Sequence, residues 1–420
     1  MNSTRLFKKT VIAATIALAS QQAVAAGFQL NAQSATGLGR AFAGDAVIAD
    51  NASVMARNPA AMALFDETSM SLGFTSITSQ IEVKDAKYST FNGSGYDTVD
   101  SNYSDAGSTS VAPNIHLIVP INEKFAVGVN AYTNFGTKTE FDESFAASEY
   151  GGLTDVKSAN IGVAGSYRVN EQLSFGAGLD IIYGSGKMKR TLSDRVISGG
   201  GTTVLNADAD GWALGFNLGS VYEIDENNRF GLAYHYSPEL KAKGDVTIMG
   251  VDSKDTLVMP LPDMLEFSGF HKIVDTKFAV HYSVQWIGWS SFDKITIEDA
   301  GVDKKYEWKD GMHYAIGGTY YLNQDWTLRA GYMHDTSAQD QLTSISVPDS
   351  NRNWFSGGFT YHLDTKSNID FGFTYLLGQD VDVKETTYVP NTGNTIALSS
   401  IEGVTRANAI LVGLQYSRSF

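Results

Sequence analysis

The sequence predicts an all-β fold: a 14-stranded antiparallel transmembrane β-barrel plugged by a small N-terminal helical hatch. Three observations predict it: a secretory leader, about fourteen segments that alternate apolar with small or polar residues, and connections that alternate between short and long.

The leader comes first. Arg5, Lys8 and Lys9 precede an apolar run from Val11 to Ala19, and Ala23, Val24 and Ala25 offer small residues for cleavage, so residues 1–25 read as a signal peptide. The apolar run is about half of the roughly 20 residues a membrane helix needs, and no later segment is long enough either. Removing the three leader bases takes the formal charge from −15 to −18, which excludes nucleic acid as a partner and suits a cell surface. There is no cysteine, so stability rests on backbone pairing and packing. The 41 glycines and 11% aromatics fit many short strands with one greasy face.

Residues 26–67 do not alternate. In "GDAVIADNASVMARNPAAMALFD", Gly44 to Asp66, the apolar residues fall among alanines with the spacing of short helices. From residue 68 onward the period is two, beginning with a strand expected over Thr68 to Ile77. Leu173, Phe175, Ala177, Leu179, Ile181 and Tyr183 alternate with Ser174, Gly176, Gly178, Asp180 and Ile182. The same pattern runs through Phe125 to Ala131, Trp212 to Leu218, Phe230 to Tyr236, Phe278 to Trp286, Trp326 to Tyr332 and Ile369 to Tyr375. Each segment is about ten residues, the length a tilted transmembrane strand needs.

The connections point the same way. Short links rich in Asn and Asp lie at Ile121 to Lys124, Val169 to Gln172, Ile224 to Asn228, Ile273 to Thr276, Leu322 to Asp325 and Leu363 to Asn368. Between them lie seven long polar stretches, approximately 80–110, 136–157, 184–211, 238–262, 287–310, 335–353 and 377–405. Short periplasmic turns and long extracellular loops are the signature of an outer-membrane barrel. The closing strand, "ILVGLQYSRSF", puts Ile410, Val412, Leu414, Tyr416 and Phe420 on one face and ends on an aromatic, the kind of signal read by outer-membrane assembly machinery. Fourteen strands enclose a lumen too wide for their own side chains, so residues 26–67 are expected to fold into it as a stopper, with residues 68–420 as the barrel.

Competing chemistry fails on spacing. "GLGRAFAG" lacks the third glycine of a dinucleotide turn, and "NADADG" at Asn206 to Gly211 lacks the closing Glu of a calcium loop. The seven histidines are scattered without metal-ligand spacing, so no catalytic residue, metal or cofactor is predicted.

The stretch "GFQLNAQSATGLGRAFAGDAVIADNASVMARNPAAMALFD" resembles the N-terminus of the long-chain fatty acid transporter (FadL) family, as do "TNFGTKTEF" (Thr133 to Phe141), "SISVPDSNRNWFSGG" (Ser344 to Gly358) and the closing strand. The resemblance spans the whole mature chain. It implies a monomeric channel of the bacterial outer membrane, set among lipid and lipopolysaccharide, for diffusive uptake of long-chain fatty acids. In that scheme the ligand is captured between extracellular loops, held at an inner site and released sideways at a kink in strand 3 when the hatch moves. The stretch Gly184 to Gly211 is shorter than the family's capture loop would require.

The resemblance also assigns residues. Phe28 matches an aromatic near the inner site, with plug packing as the plainer reading. Asn58, Pro59 and Ala60 match the hatch signature, structural or gating, and Asn134, Phe135 and Gly136 match the strand 3 kink, or else an ordinary strand end. Arg190 and Lys309 match the bases that meet the ligand carboxylate, with solvated loop charges as the alternative. A relative taking uncharged aromatic hydrocarbons, an outer-membrane lipid hydrolase and an adhesive barrel remain as other functions. The hydrolase would need an outward Ser-His pair, which the sequence does not offer, so no enzyme is expected.

Overall fold

The computed structural model describes residues 27, 29–196, 201–339, 342–388 and 396–420; the expected signal peptide, residues 1–25, lies outside them. Fourteen long strands form the wall. They are β1 (Ser69–Phe91), β2 (Thr109–Pro120), β3 (Phe125–Tyr132), β4 (Leu153–Arg168), β5 (Leu173–Thr191), β6 (Thr203–Asp225) and β7 (Asn228–Tyr236). They continue as β8 (Met264–Lys272), β9 (Phe278–Ile287), β10 (Gly311–Tyr321), β11 (Trp326–Asp335), β12 (Arg352–His362), β13 (Ser367–Gly378) and β14 (Ala397–Ser419). Each pairs antiparallel with the next, and β14 returns to β1 from Ser69–Ser419 to Thr90–Ser399, so the sheet is closed.

The short turns repeat one device. Asn122, Asn170 and Asn323 each accept two main-chain amides, at two and three residues on, with distances of 2.8–3.0 Å. At the other end the strands outrun the membrane. β1 spans 23 residues rather than the ten expected, and the stretch 184–211 read as loop is mostly ladder, with β5 running to Thr191 and β6 starting at Thr203. Above the membrane both faces meet water, so the hydrophobic alternation that marks a strand disappears while the pairing continues.

The wall is apolar outside and polar inside. Leu72, Val163 and Leu214 expose 51, 54 and 61% of their surface, a distribution that fits lipid as the solvent, whereas inward Ser71, His116, Asp335 and Arg352 are fully buried. Ser71 and His116 are covered by the segment between residues 29 and 65, through Ala52 and Gln33. Helix α1 (Ala35–Gly39) is capped by Ser34, whose hydroxyl accepts from Gly37 N at 2.9 Å. Two 3₁₀ turns follow, Ala52–Ala56 capped by Asn51 and Pro59–Leu64 capped by Asn58. Leu30, Leu38 and Phe42 pack against wall residues Ile77, Trp354 and Leu411, while Val54, Met55 and Met62 pack against Ile118, Val221 and Phe270.

Two features seat this plug. Wall glycines line its bed: a side chain at Gly176 would collide with the Pro59–Ala60 backbone, and one at Gly331 with the Arg40 carbonyl. Buried ion pairs then tie it in place. Arg40 meets Asp45 (2.8 Å) and Asp50 (3.0 Å), and Arg57 meets Asp45 (3.1 Å) and, on β8, Glu266 (3.6 Å). Arg329 on β11 reaches Asp50 at 3.2 Å.

Gly176→Val is expected to cost the seated plug about 1–3 kcal/mol by overpacking, and Arg57→Ala about 3–5 kcal/mol by leaving the buried Glu266 carboxylate without its cation, while Asp45 keeps Arg40. Both barrels should keep their heat-modifiable migration while limited proteolysis begins to cut between residues 29 and 66. Unchanged protection in both variants would contradict this seating.

Candidate functional site

β3 stops at Tyr132, and residues 133–135 turn inward before a short ladder resumes over Gly136–Glu140 against β4. β2 and β3 pair only as far up as Ile115–Ala131. Above that rung, Thr109–Asn114 of β2 keep β1 on one side, and among the described residues no strand pairs with them on the other. The two sides rejoin where Glu140 N donates to Ala106 O at 3.0 Å. The result is a window in the wall. Gly136 has no left-handed backbone; the break falls on Thr133, Asn134 and Phe135, and Phe135 is tied to β4 by Ser158.

An unpaired edge facing lipid leaves polar backbone unsatisfied, and here the plug lies against both sides of the gap. Leu30 N donates to Asn134 O at 2.6 Å, Gln29 forms a bridge with Phe135, and the Asn114 amide donates to Ala32 O at 3.2 Å. Asn58, Pro59 and Ala60 lie elsewhere, on the opposite flank of the plug. Asn58 accepts from Ala60 N at 3.0 Å and donates to Ala46 O and Ser220 O at 2.8 and 3.0 Å, stapling the plug to β6.

Beside the window, on the inner side, lies an aromatic cluster. Phe135 meets Trp289 edge-on at 6.0 Å, Trp289 meets Trp308 at 5.0 Å, and Phe292 contacts Trp308 and Tyr306 at 4.7 and 4.9 Å. Gly27, with φ +60°, presses its backbone against Trp289 and Trp308, leaving no room for a side chain. Phe28 lies outside the described residues. The cluster continues through Met188, Leu240, Met259 and Ile295 into an apolar seam of about 20 Å³, room for one water-sized sphere.

Arg190 borders this region and is 7% exposed. Its Nη1 donates to Leu153 O (2.5 Å) and Lys189 O (2.8 Å), and its Nη2 to Thr154 Oγ1 (2.6 Å). Among the described residues no carboxylate lies within ion-pair distance of it; Tyr306 and Glu385 act on it electrostatically from farther away. Lys309 is exposed and its amide holds Ala338 O at 2.8 Å, because alternation along Tyr306, Glu307, Trp308 and Lys309 turns Tyr306 and Trp308 inward.

Sequence reasoning missed Lys304 and Tyr306. Lys304 Nζ pairs with Glu385 at 3.2 Å and lies 5.9 Å from the Tyr306 ring, and the buried Tyr306 hydroxyl has no hydrogen-bond partner among the described residues. The "KKYEW" run held the signal, a base two residues from an aromatic, but nothing local says which face turns inward.

A strap over residues 141–151 closes the mouth above. Phe141, Phe145 and Tyr150 pack on Ile81, Tyr88 and Ile401, and Glu149 accepts hydrogen bonds from Tyr88 (2.5 Å) and Ser399 (2.7 Å). Burial pushes the Glu149 carboxyl above its usual range, although those hydrogen bonds pull the other way.

The model of the family described as outer membrane protein transport protein (OMPP1/FadL/TodX) matches residues 16–420. Outer membrane protein P1 of Haemophilus influenzae is 33% identical over 457 residues, covering 99% of each chain. The long-chain fatty acid transport protein of Escherichia coli K12 is 32% identical, covering 92% of this chain and 96% of that one. Among solved structures, a Pseudomonas aeruginosa FadL homologue superposes with a TM-score of 0.84 at 20% identity, covering 94% of this chain and all of the other. The Pseudomonas putida toluene transporter TodX superposes at 0.68 and 18% identity, covering 95% of this chain and all of that one.

A raised Glu149 pKa makes the strap most stable on the acid side and progressively weaker as pH rises through that value. Hydrogen-exchange protection of residues 141–151 should therefore fall as pH rises above the ordinary glutamate range, and Glu149→Gln, which keeps an accepting oxygen, should flatten the profile. A parent profile that is already flat would contradict the assignment.

Proposed function

We propose a substrate and a route for a chain that belongs to the OMPP1/FadL/TodX family of outer membrane transport proteins. The protein is a hydrophobic-substrate channel of the bacterial outer membrane, and family and fold point to transport rather than catalysis. The substrate we infer is a long-chain fatty acid. One observation carries that reading: a buried guanidinium, Arg190, without a carboxylate partner among the described residues, beside an unsatisfied Tyr306 hydroxyl and Lys304 at the border of a deep apolar cluster. A carboxylate brought there gains a charge-assisted partner. Its tail gains about 0.8 kcal/mol for each methylene buried.

The route runs from the apolar seam near Met188 and Leu240 to the aromatic floor, with the head group at Arg190. Filling the seam requires the cluster to loosen. Because Gly27 is wedged on Trp289 and Trp308, that loosening is transmitted to the segment whose Leu30 amide seals Asn134. The window then opens to lipid. The body of the plug, held by ion pairs and glycine seats, stays in place. Lys309 serves the outer approach. We take the protein to act as a single chain, since β14 closes on β1 within it.

A second reading rests on the cluster itself. Phe135, Trp289, Phe292 and Trp308 would also suit an uncharged aromatic hydrocarbon, which has no use for Arg190.

Labelled oleate binding and uptake, measured in a transporter-deleted Gram-negative host, separates the two. Losing a hydrogen bond to a charged group costs about 1.5–3 kcal/mol, so Arg190→Ala should weaken oleate binding roughly ten- to hundredfold. Lys309→Ala should slow uptake with a smaller effect on binding, and neither variant should change toluene uptake. Oleate binding that survives Arg190→Ala unchanged would remove the head-group assignment; toluene uptake without oleate uptake would favour the hydrocarbon.

A further inference from the structure

The outer face of the wall below the window carries a hollow that the route above does not use. Outward side chains on β2 to β6 form rungs across the sheet. The rung at the window sill is Ile115, Ala131, Ile161 and Ile181; the next below is Leu117, Val129, Val163, Leu179 and Phe216. The third is Val119, Val127, Gly165, Ala177 and Leu218, and the fourth is aromatic, Phe125, Tyr167 and Phe175. Gly165 and Ala177 are direct cross-strand partners, so a glycine and an alanine sit together between an aliphatic rung and an aromatic one.

The hollow over them measures about 740 Å³ and is apolar throughout, bounded by Leu117, Val129, Val163, Leu179, Phe216 and Leu218. It is a groove open to lipid along its outer side rather than an enclosed cleft. The wall behind it is braced, because Gly128 and Gly176, on its inner side, bear directly on Met55, Met62 and Ala60 of the plug. The hollow is therefore a fixed shape rather than a space the sheet can close. It is also continuous with the window. Ala131 makes a notch in the sill between Ile115 and Ile161, and the first rung beneath that notch, Leu117 and Val129, is the upper bank of the hollow.

We propose that this hollow receives the hydrocarbon tail of the transported ligand as it leaves the window, holding it on the wall before it joins the bilayer. The occupant is an unbranched acyl chain, passed tail first over Ala131 and laid along Gly165 and Ala177 while the carboxylate is still inside. Each methylene moves from one apolar surface to the next without crossing water or disordered lipid. The inference rests on the uptake route proposed above.

The test fills the hollow from the lipid side. Gly165→Leu with Ala177→Leu, and separately Ala131→Phe, place bulk outside the barrel, away from the plug and the aromatic cluster. Ala330→Leu on β11 places the same bulk on another part of the wall. The expected result is that oleate binding to the purified variants equals that of the parent while the initial rate of oleate uptake falls several-fold, with Ala330→Leu unaffected. In the parent, a photoactivatable fatty acid should cross-link to peptides carrying Gly165 or Ala177, and cross-linking should be lost when Ala131→Phe blocks the sill. Parent-like uptake by both filled variants would overturn the proposal and leave the hollow to ordinary membrane lipid. Failure of the parent itself to bind or take up oleate would instead sink the uptake reading, and this inference with it.

Discussion

In a hydrocarbon solvent every main-chain N–H and C=O needs a partner within the protein, and the closure of β14 on β1 meets that need around almost the whole wall. The departure at residues 133–135 gains its meaning from this constraint. A gap in the ladder would be costly if it faced lipid alone; here Gln29 and Leu30 of the plug pair with the main chain of the inward turn, and Ala32 accepts from the Asn114 side chain.

The rest of the plug is built to stay. Arg40, Asp45, Asp50, Arg57, Glu266 and Arg329 form a chain of buried charges that removal of the plug would strand, and wall glycines let plug backbone approach closer than any side chain permits. The segment from Gly27 to Ala32 takes no part in those ion pairs among the described residues. Its contacts include the Leu30–Asn134 hydrogen bond, a bond from Arg57 to Asn31, the packing of Leu30 near Ile77 and Leu411, and the Gly27 contact with Trp289 and Trp308. The ion pairs and glycine seats thus lie on the plug from Ala35 onward.

The same division organises the interior chemistry. Charges that are paired build the seat; Arg190, whose donors go to two carbonyls and a hydroxyl, stands apart from them beside the apolar cluster. Below it lie the aromatic rings of Trp289 and Trp308, against which Gly27 of the plug is pressed.

The sequence by itself determined the class of the protein. Strand alternation, Asn-bearing turns and the short-long rhythm are local patterns imposed by lipid and by turn geometry, so fourteen strands, their order and the helical turns within residues 35–64 were legible from Phe125, Asn122 and their repeats. The upper strands were not, because in water both faces are polar and the period of two carries no signal; β6 in Asn206 to Gly211 looks like a loop. Tertiary structure alone decided which glycines are seats, that Asn58 serves β6, that the window lies between Thr109–Asn114 and the inward turn, and that Tyr306 and Lys304 join Arg190. Those facts depend on residues up to hundreds of positions apart meeting across a lumen. No local pattern encodes what fills the inside of a closed sheet.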